Sequence, residues 1–268
     1  EIRDEVGRYD FDGPGGTLDL NWKPKEDHVG NLNLEYNKQN SAQRVLSSRR
    51  ALAERGQDLE TVFTGGENEW NAKVGADYEI PMGPGKLKMI GYYRFERSPT
   101  RSVFSTFALN GEQLSGSIFD RLADEAETIA RSEYSWSKRE GHDWTLGLEG
   151  AFNLLDIESS LREFDGSSFV NVALDGASSR VEEKRAEVTL THSRPLSAKW
   201  NLQLSAGAEY SELTQTGGLA REFVRPKGFL LATYKPEDST SIRFKAERVV
   251  GQLSFFDFIS FVDVQDNI

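Results

Sequence analysis

The most regular feature of the chain is an alternation of apolar and polar positions with a period of two. Only a strand sends successive side chains to opposite faces in this way. From Trp70 to Ile80, one face carries Trp70, Ala72, Val74, Ala76, Tyr78 and Ile80, and the other Asn71, Lys73, Gly75, Asp77 and Glu79. Trp200–Tyr210 repeats the pattern, with Trp200, Leu202, Leu204, Ala206, Ala208 and Tyr210 against Asn201, Gln203, Ser205, Gly207 and Glu209. A third run goes from Trp144 through Leu146, Leu148, Gly150 and Phe152 to Leu154. Each covers 11 residues, close to the ~9–11 that a tilted strand needs to cross a bilayer. Ordinary globular strands are nearer ~5–6.

Five short segments rich in Pro, Gly or charge punctuate these runs: Pro24–His28, Pro81–Gly85, Lys138–His142, Arg194–Ala198 and Lys235–Ser239. Strand-like alternation flanks every one, and longer polar stretches (39–66, 98–127, 155–179 and 212–221) lie between them. Connections that alternate short and long are expected of an outer-membrane barrel, with tight periplasmic turns and long extracellular loops. The spacing predicts about ten strands in five hairpins, near 16–38, 67–97, 128–154, 180–211 and 222–252. Residues 1–11 and 253–268 add strand-like material without an evident partner, the latter with Phe255, Phe256, Phe258 and Phe261. Within the long stretches, Ala42–Glu60 and Ile118–Ile129 have helix-forming composition, with apolar residues three and four apart. Asp12–Gly16 and Thr216–Gly218 read as flexible turns, since neither joins a strand to a helix as a phosphate-binding loop does.

Large aromatics gather beside the short turns. Trp22, Trp136, Trp144 and Trp200 adjoin them, with Tyr78 and Tyr234 close by. Rings with an apolar body and a polar tip suit the headgroup zone, where barrels carry aromatic girdles. These six are the expected membrane girdle.

Composition narrows the chemistry. The net charge of −11 shows no basic face, which argues against a nucleic-acid partner. No cysteine is present, so there is no disulfide framework, thiolate nucleophile or Cys-based metal site. No apolar stretch approaches the ~20 residues of a membrane-spanning helix, which leaves a strand-built membrane protein open. His28, His142 and His192 all fall in or beside the short turns, away from external substrates, and neither Gly-x-Ser-x-Gly nor His-Glu-x-x-His occurs. No catalytic residue, metal or cofactor is expected, and the chain does not read as an enzyme.

The segment Phe223–Ile268 resembles the barrel of TonB-dependent outer-membrane receptors. In that family a strand ending in an aromatic meets a short polar turn, then a strand of the form Ile-Arg-Phe, then a Phe-rich segment leading into a loop. The matching parts here are Leu230–Ser239, Ser241–Val249 and Ser254–Val264. The resemblance implies an all-β, antiparallel up-and-down transmembrane barrel in a Gram-negative outer membrane. Residues 1–268 would then be one barrel segment of a 22-stranded wall. It implies uptake of a scarce siderophore, vitamin or glycan captured on the extracellular side, energised by a TonB-type protein. Nothing in the sequence resembles the family's plug domain or TonB-box segment, and the last residues, Gln265–Ile268, do not form its aromatic-terminated strand.

Candidate lumen-facing residues on the polar faces are Lys88, Arg94, Glu96, Glu149, Glu187, Glu209, Arg243, Lys245 and Glu247, although each could equally serve only to solvate the wall and pair across strands. Arg44, Arg49 and Arg50 read as loop cations that could attract an anionic ferric chelate or equally form the solvated face of a loop helix. Asp120, Asp124, Glu125 and Glu127 form an acidic segment without the fixed spacing of a Ca²⁺ loop. Two other readings stay open: a complete ten-stranded outer-membrane enzyme or adhesin, which needs closure between first and last strands, and a soluble β-sandwich binding module.

Overall fold

A computed structural model describes residues 2–52, 57–174 and 176–251. All twelve strands lie in one antiparallel sheet: β1 (Ile2–Asp12), β2 (Gly15–Trp22), β3 (Val29–Arg50), β4 (Leu59–Met82), β5 (Gly85–Ala108), β6 (Gln113–Arg139), β7 (His142–Phe164), β8 (Phe169–Val172), β9 (Ser178–Ser197), β10 (Trp200–Gln215), β11 (Leu219–Glu237) and β12 (Thr240–Arg248). The order along the sheet is β1-β3-β4-β5-β6-β7-β9-β10-β11-β12, which is chain order, so the topology is up-and-down. A sandwich needs two sheets packed face to face, so that alternative is excluded.

β1 and β2 are one strand in two pieces. Both pair with β3 in the same register, Asp12 opposite Asn40 and Gly15 opposite Asn37. Between them Pro14 has no N–H to donate, but its carbonyl still accepts from the Lys38 amide at 2.8 Å. Asp12–Gly16 is therefore an interruption within an edge strand and not a turn, and residues 2–11 find their partner in β3. Ten strand positions result, with β1/β2 at one edge and β12 at the other, unpaired with each other among the described residues.

On one side of the sheet the connections are 23–28 and four two-residue turns (83–84, 140–141, 198–199 and 238–239). Gly83 shows what such a turn requires. Its φ is +58°, a conformation that a Cβ disfavours, and Pro84 fixes the next residue. On the opposite side much of what reads as loop is strand. β3 to β7 run for 22 to 27 residues, leaving connections at 51–58, 109–112, 165–177 (which includes β8) and 216–218. The long excursions exist as extensions of the strands themselves. The Asp165 carboxylate closes one connection. It accepts from the amides of Ser168 and Ser167 and the Ser167 hydroxyl, each at 2.9 Å, which holds its pKa below the ordinary carboxylate value.

Neither expected helix forms among the described residues. Ile118–Ile129 lies wholly in β6, and the described parts of Ala42–Glu60 are strand or connection; residues 53–56 and 253–268, with the four phenylalanines named above, lie outside the described residues. Helix propensity is worth only a few tenths of a kcal/mol per residue. In β6, each residue from 118 to 129 faces a partner in both β5 and β7. The acids there also gain cross-strand cations: Asp120 meets Arg162 at 2.9 Å and Asp124 meets Arg97 at 3.3 Å.

Because paired residues share a face, the register sorts the whole sheet. The even-numbered positions of β2 to β4, β6, β7 and β9 to β12, with the odd-numbered positions of β5 and β8, share one face. That face exposes its apolar side chains, with Leu148 at 50% and Leu204 at 44%. The other face is covered: Glu209 is 3% exposed, Leu213 1% and Ser211 0%. The sheet therefore curls around its polar face, leaving the apolar face outside.

Candidate functional site

The outer face carries a continuous apolar belt. On β7 it runs from Trp144 to Leu154, ten steps of ~3.3 Å, or ~23 Å of height at a ~45° tilt, close to the ~25 Å band of outer-membrane barrels. In register with it lie Leu32 and Leu34, Val74 and Ala76, Met89, Ala130, Leu190 and Val188, Leu204 and Ala206, Leu230, and Phe244.

Aromatic rings bound the belt at the turn end. Trp22, Tyr78, Trp136, Trp144, Trp200 and Tyr234 all lie on the outer face there. Trp136 stacks on Trp144 at 6.3 Å between centroids, Trp144 on His192 at 4.0 Å, and Trp200 on Tyr234 at 4.6 Å. The Tyr78 hydroxyl meets His28 Nδ1 at 2.9 Å. Trp22 lies against Gly30, its direct partner on β3, where an added Cβ would come within 2.3 Å of the indole. Gly30→Val is expected to lift Trp22 off the sheet at a cost of ~1–3 kcal/mol and to change the tryptophan emission spectrum. Gly91→Val, on the same face with no atom within 4 Å, is the matched control. Equal spectra for the two variants would show that Trp22 is not held by Gly30.

A second aromatic row closes the other end of the belt. Tyr36, Trp70 and Phe95 stand side by side, with Trp70 6.3 Å from Tyr36 and 5.3 Å from Phe95, and Tyr93, Phe152 and Tyr210 share the face at similar height. Sequence reasoning missed this row, although the signal was present: Trp70 begins the same alternating run that ends near Tyr78.

The inner face gathers the charges. All nine candidates (Lys88, Arg94, Glu96, Glu149, Glu187, Glu209, Arg243, Lys245 and Glu247) lie on it. Lys88 pairs with Asp77 at 3.3 Å, Arg94 with Glu96, and Lys245 with Glu247 at 2.6 Å. The register sets Glu149, Glu187 and Glu209 directly beside one another on β7, β9 and β10. Three like charges in a row repel, and four cations answer them. Arg185 reaches Glu149 at 2.9 Å and Arg131 reaches it at 3.5 Å. Lys227 bridges Glu187, at 2.6 Å, and Glu209, which Arg225 also reaches at 3.4 Å. Nearby, Asn153 donates to Glu183 at 2.9 Å. None of Arg131, Arg185, Arg225 and Lys227 stood out in the sequence, because only the strand register shows which carboxylates they face.

Above the belt the inner face turns apolar, where Ala123, Leu155, Ile157, Val181 and Leu213 form a buried cluster. The arginines expected on a loop are on β3. Arg44 and Arg50 point to the outer face and Arg49 to the inner one, so the first two cannot line a bore. Asp120, Asp124, Glu125 and Glu127 are likewise split between faces by the alternation of β6, and among the described residues no three His, Asp or Glu converge as a metal site.

No protein-family model matches the chain, and no curated protein matches it in sequence. Solved structures do resemble it. The siderophore receptor PiuA from Acinetobacter baumannii superposes with a TM-score of 0.50 at 11% identity, over 91% of this chain and 48% of that one. The ferric-catecholate import receptor Fiu from E. coli K12 gives 0.49 at 9% identity, over 91% and 53%. The translocator domain of the autotransporter NalP from Neisseria meningitidis gives 0.34 at 15%, over 91% and 82%. The chain spans about half the length of the two receptors. At such identity the likeness to PiuA is one of fold: the chain has an antiparallel, up-and-down wall of the outer-membrane β-barrel kind.

Proposed function

We propose that the chain is part of the wall of an outer-membrane receptor that captures a scarce solute (siderophore, vitamin or glycan) on its extracellular side and imports it with energy from a TonB-type protein. The observation that carries this reading is the apolar belt between two aromatic rows, backed by a charge-paired inner face. Lipid solvates the belt, the six turn-side aromatics form the periplasmic girdle, and the inner face borders the solute path. The nine inner-face candidates and the cations paired with them line that path.

An open ten-stranded sheet would leave edge N–H and C=O groups unpaired in hydrocarbon, at a cost of several kcal/mol each. Further strands must therefore pair with β1/β2 and β12, which supports a wall larger than the described one. The TonB partner engages through a plug outside this chain. Among the inner-face candidates, Glu96, Glu149, Glu187, Glu209 and Glu247 are each held in an ion pair, which favours transport over hydrolysis.

The test is solute uptake by cells with and without the full-length gene, under limitation for iron, for vitamin and for glycan in turn. Uptake of one solute is expected to fall to background on deletion of the gene, and equally on deletion of the TonB-type protein. A protein that fractionates with the soluble proteins, or uptake unaffected by either deletion, would overturn the proposal.

A further inference from the structure

Just beyond the second aromatic row, on the outer face, an open groove of about 1150 Å³ crosses β3 to β7. It follows from a local defect in the sheet. Gly65 and Gly66 carry no side chains to fill the wall, and Pro99 has no N–H for β4, so the β4–β5 pairing lapses between Glu67–Thr100 and Trp70–Arg97. Most of the lining residues belong to the outer face, among them Asn40, Asn68, Arg97, Arg101, Asp120 and Ser160. The groove therefore opens toward the membrane side of the wall, at the height where acyl chains give way to headgroups.

We infer that this groove seats the phosphorylated sugar headgroup of an outer-leaflet glycolipid. The inference rests on the proposed membrane orientation, in which the short turns are periplasmic. Arg97 and Arg101 are four residues apart on one face of β5, hence ~13 Å along the strand, a separation that suits two phosphates at opposite ends of a disaccharide. Both are available: their side chains are 44% and 58% exposed, and each makes one long ion pair, Arg97 to Asp124 at 3.3 Å and Arg101 to Asp120 at 3.5 Å. Arg162 also binds Asp120, at 2.9 Å, so three guanidiniums share two carboxylates. A guanidinium has five donors and matches a phosphate with two parallel bonds.

Asn40, Asn68 and Ser160 add neutral polar groups suited to sugar hydroxyls. Glu158 lies on the far wall, two strands or ~10 Å from β5. Continuity completes the case, since Trp70, Phe95 and Leu154 of the belt lie directly below, where the acyl chains of the same molecule would run.

The test uses full-length protein in detergent, with binding read by native mass spectrometry against diphosphorylated lipid A, dephosphorylated lipid A, phosphatidylglycerol and inorganic phosphate. Diphosphorylated lipid A is expected to bind at least roughly tenfold more tightly than the other three, from the loss of charge-assisted bonds. R97Q/R101Q should lose that advantage. Ser160→Asp, which places a negative charge in the groove without removing any of the ion-paired residues, should lose most of it even if the double variant folds poorly. Arg194→Gln, on the outer face at the opposite end, should bind as the parent does. Equal binding of all four probes, or unchanged binding by Ser160→Asp in folded protein, would overturn the inference. Flotation of the same protein with lipid vesicles separates the two readings: protein that fails to float contradicts the membrane orientation, whereas protein that floats without phosphate selectivity contradicts only the groove.

Discussion

Replacing Leu148 by arginine is expected to cost the assembled protein ~2–4 kcal/mol, the price of a cation at mid-depth on the lipid side of a barrel. Leu148 is half exposed on the outer face, near the middle of the β7 belt between Trp144 and Phe152. In a soluble protein a half-exposed leucine tolerates arginine with little penalty, because the guanidinium reaches water. In hydrocarbon it cannot. Ser160→Arg on the same strand and face, above the second aromatic row, should cost no more than ~1 kcal/mol. Urea unfolding of the full-length protein in lipid vesicles, followed by tryptophan fluorescence, separates the two. Equal costs would mean that the belt does not meet lipid.

Lys227→Met should cost about 3 kcal/mol, near the lower end for breaking a buried ion pair, since the inner face retains some water. Lys227 is the cation shared by Glu187 and Glu209, and the Glu209 side chain is only 4% exposed. Without the ammonium, two carboxylates remain face to face on neighbouring strands. Adding Glu209→Gln to the Lys227→Met variant should recover a large part of the loss, because it removes the stranded charge. Thermal or urea unfolding of the two single variants and the double variant, combined as a cycle, measures the coupling. Additive losses would show that the three residues do not act as one network.

How much of this was legible without coordinates depended on how cleanly each strand alternates. Trp70–Ile80, Trp144–Leu154 and Trp200–Tyr210 declare themselves, because one face of each strand is apolar and the other polar or small, which imposes period two. Past the belt that pressure ends. On β6 both faces of Ile118–Glu127 carry acids and apolar residues alike, so its composition resembles a helix, and only pairing with β5 and β7 on either side makes it a strand. The aromatic row beside the short turns was readable from Trp22, Trp136, Trp144 and Trp200, whereas Trp70, a strand's length away, looked isolated. The ion network was half visible: Glu149, Glu187 and Glu209 stood on polar faces, but no local pattern could align them with Lys227 across three strands.

Residues 1–268 contain no cysteine, so a single label can be placed in this segment once any cysteine elsewhere in the full-length protein is replaced by serine. Single cysteines placed in turn at positions 144 to 154 of β7 in the full-length protein, spin-labelled and reconstituted in bilayers, report contact with oxygen, which partitions into lipid, or with a water-soluble nickel chelate. Oxygen contact at 146, 148, 150 and 152, with nickel contact or protection at 145, 147, 149 and 151, is the pattern expected of an outward lipid face. Even positions shielded from oxygen, or no alternation along the strand, would contradict it.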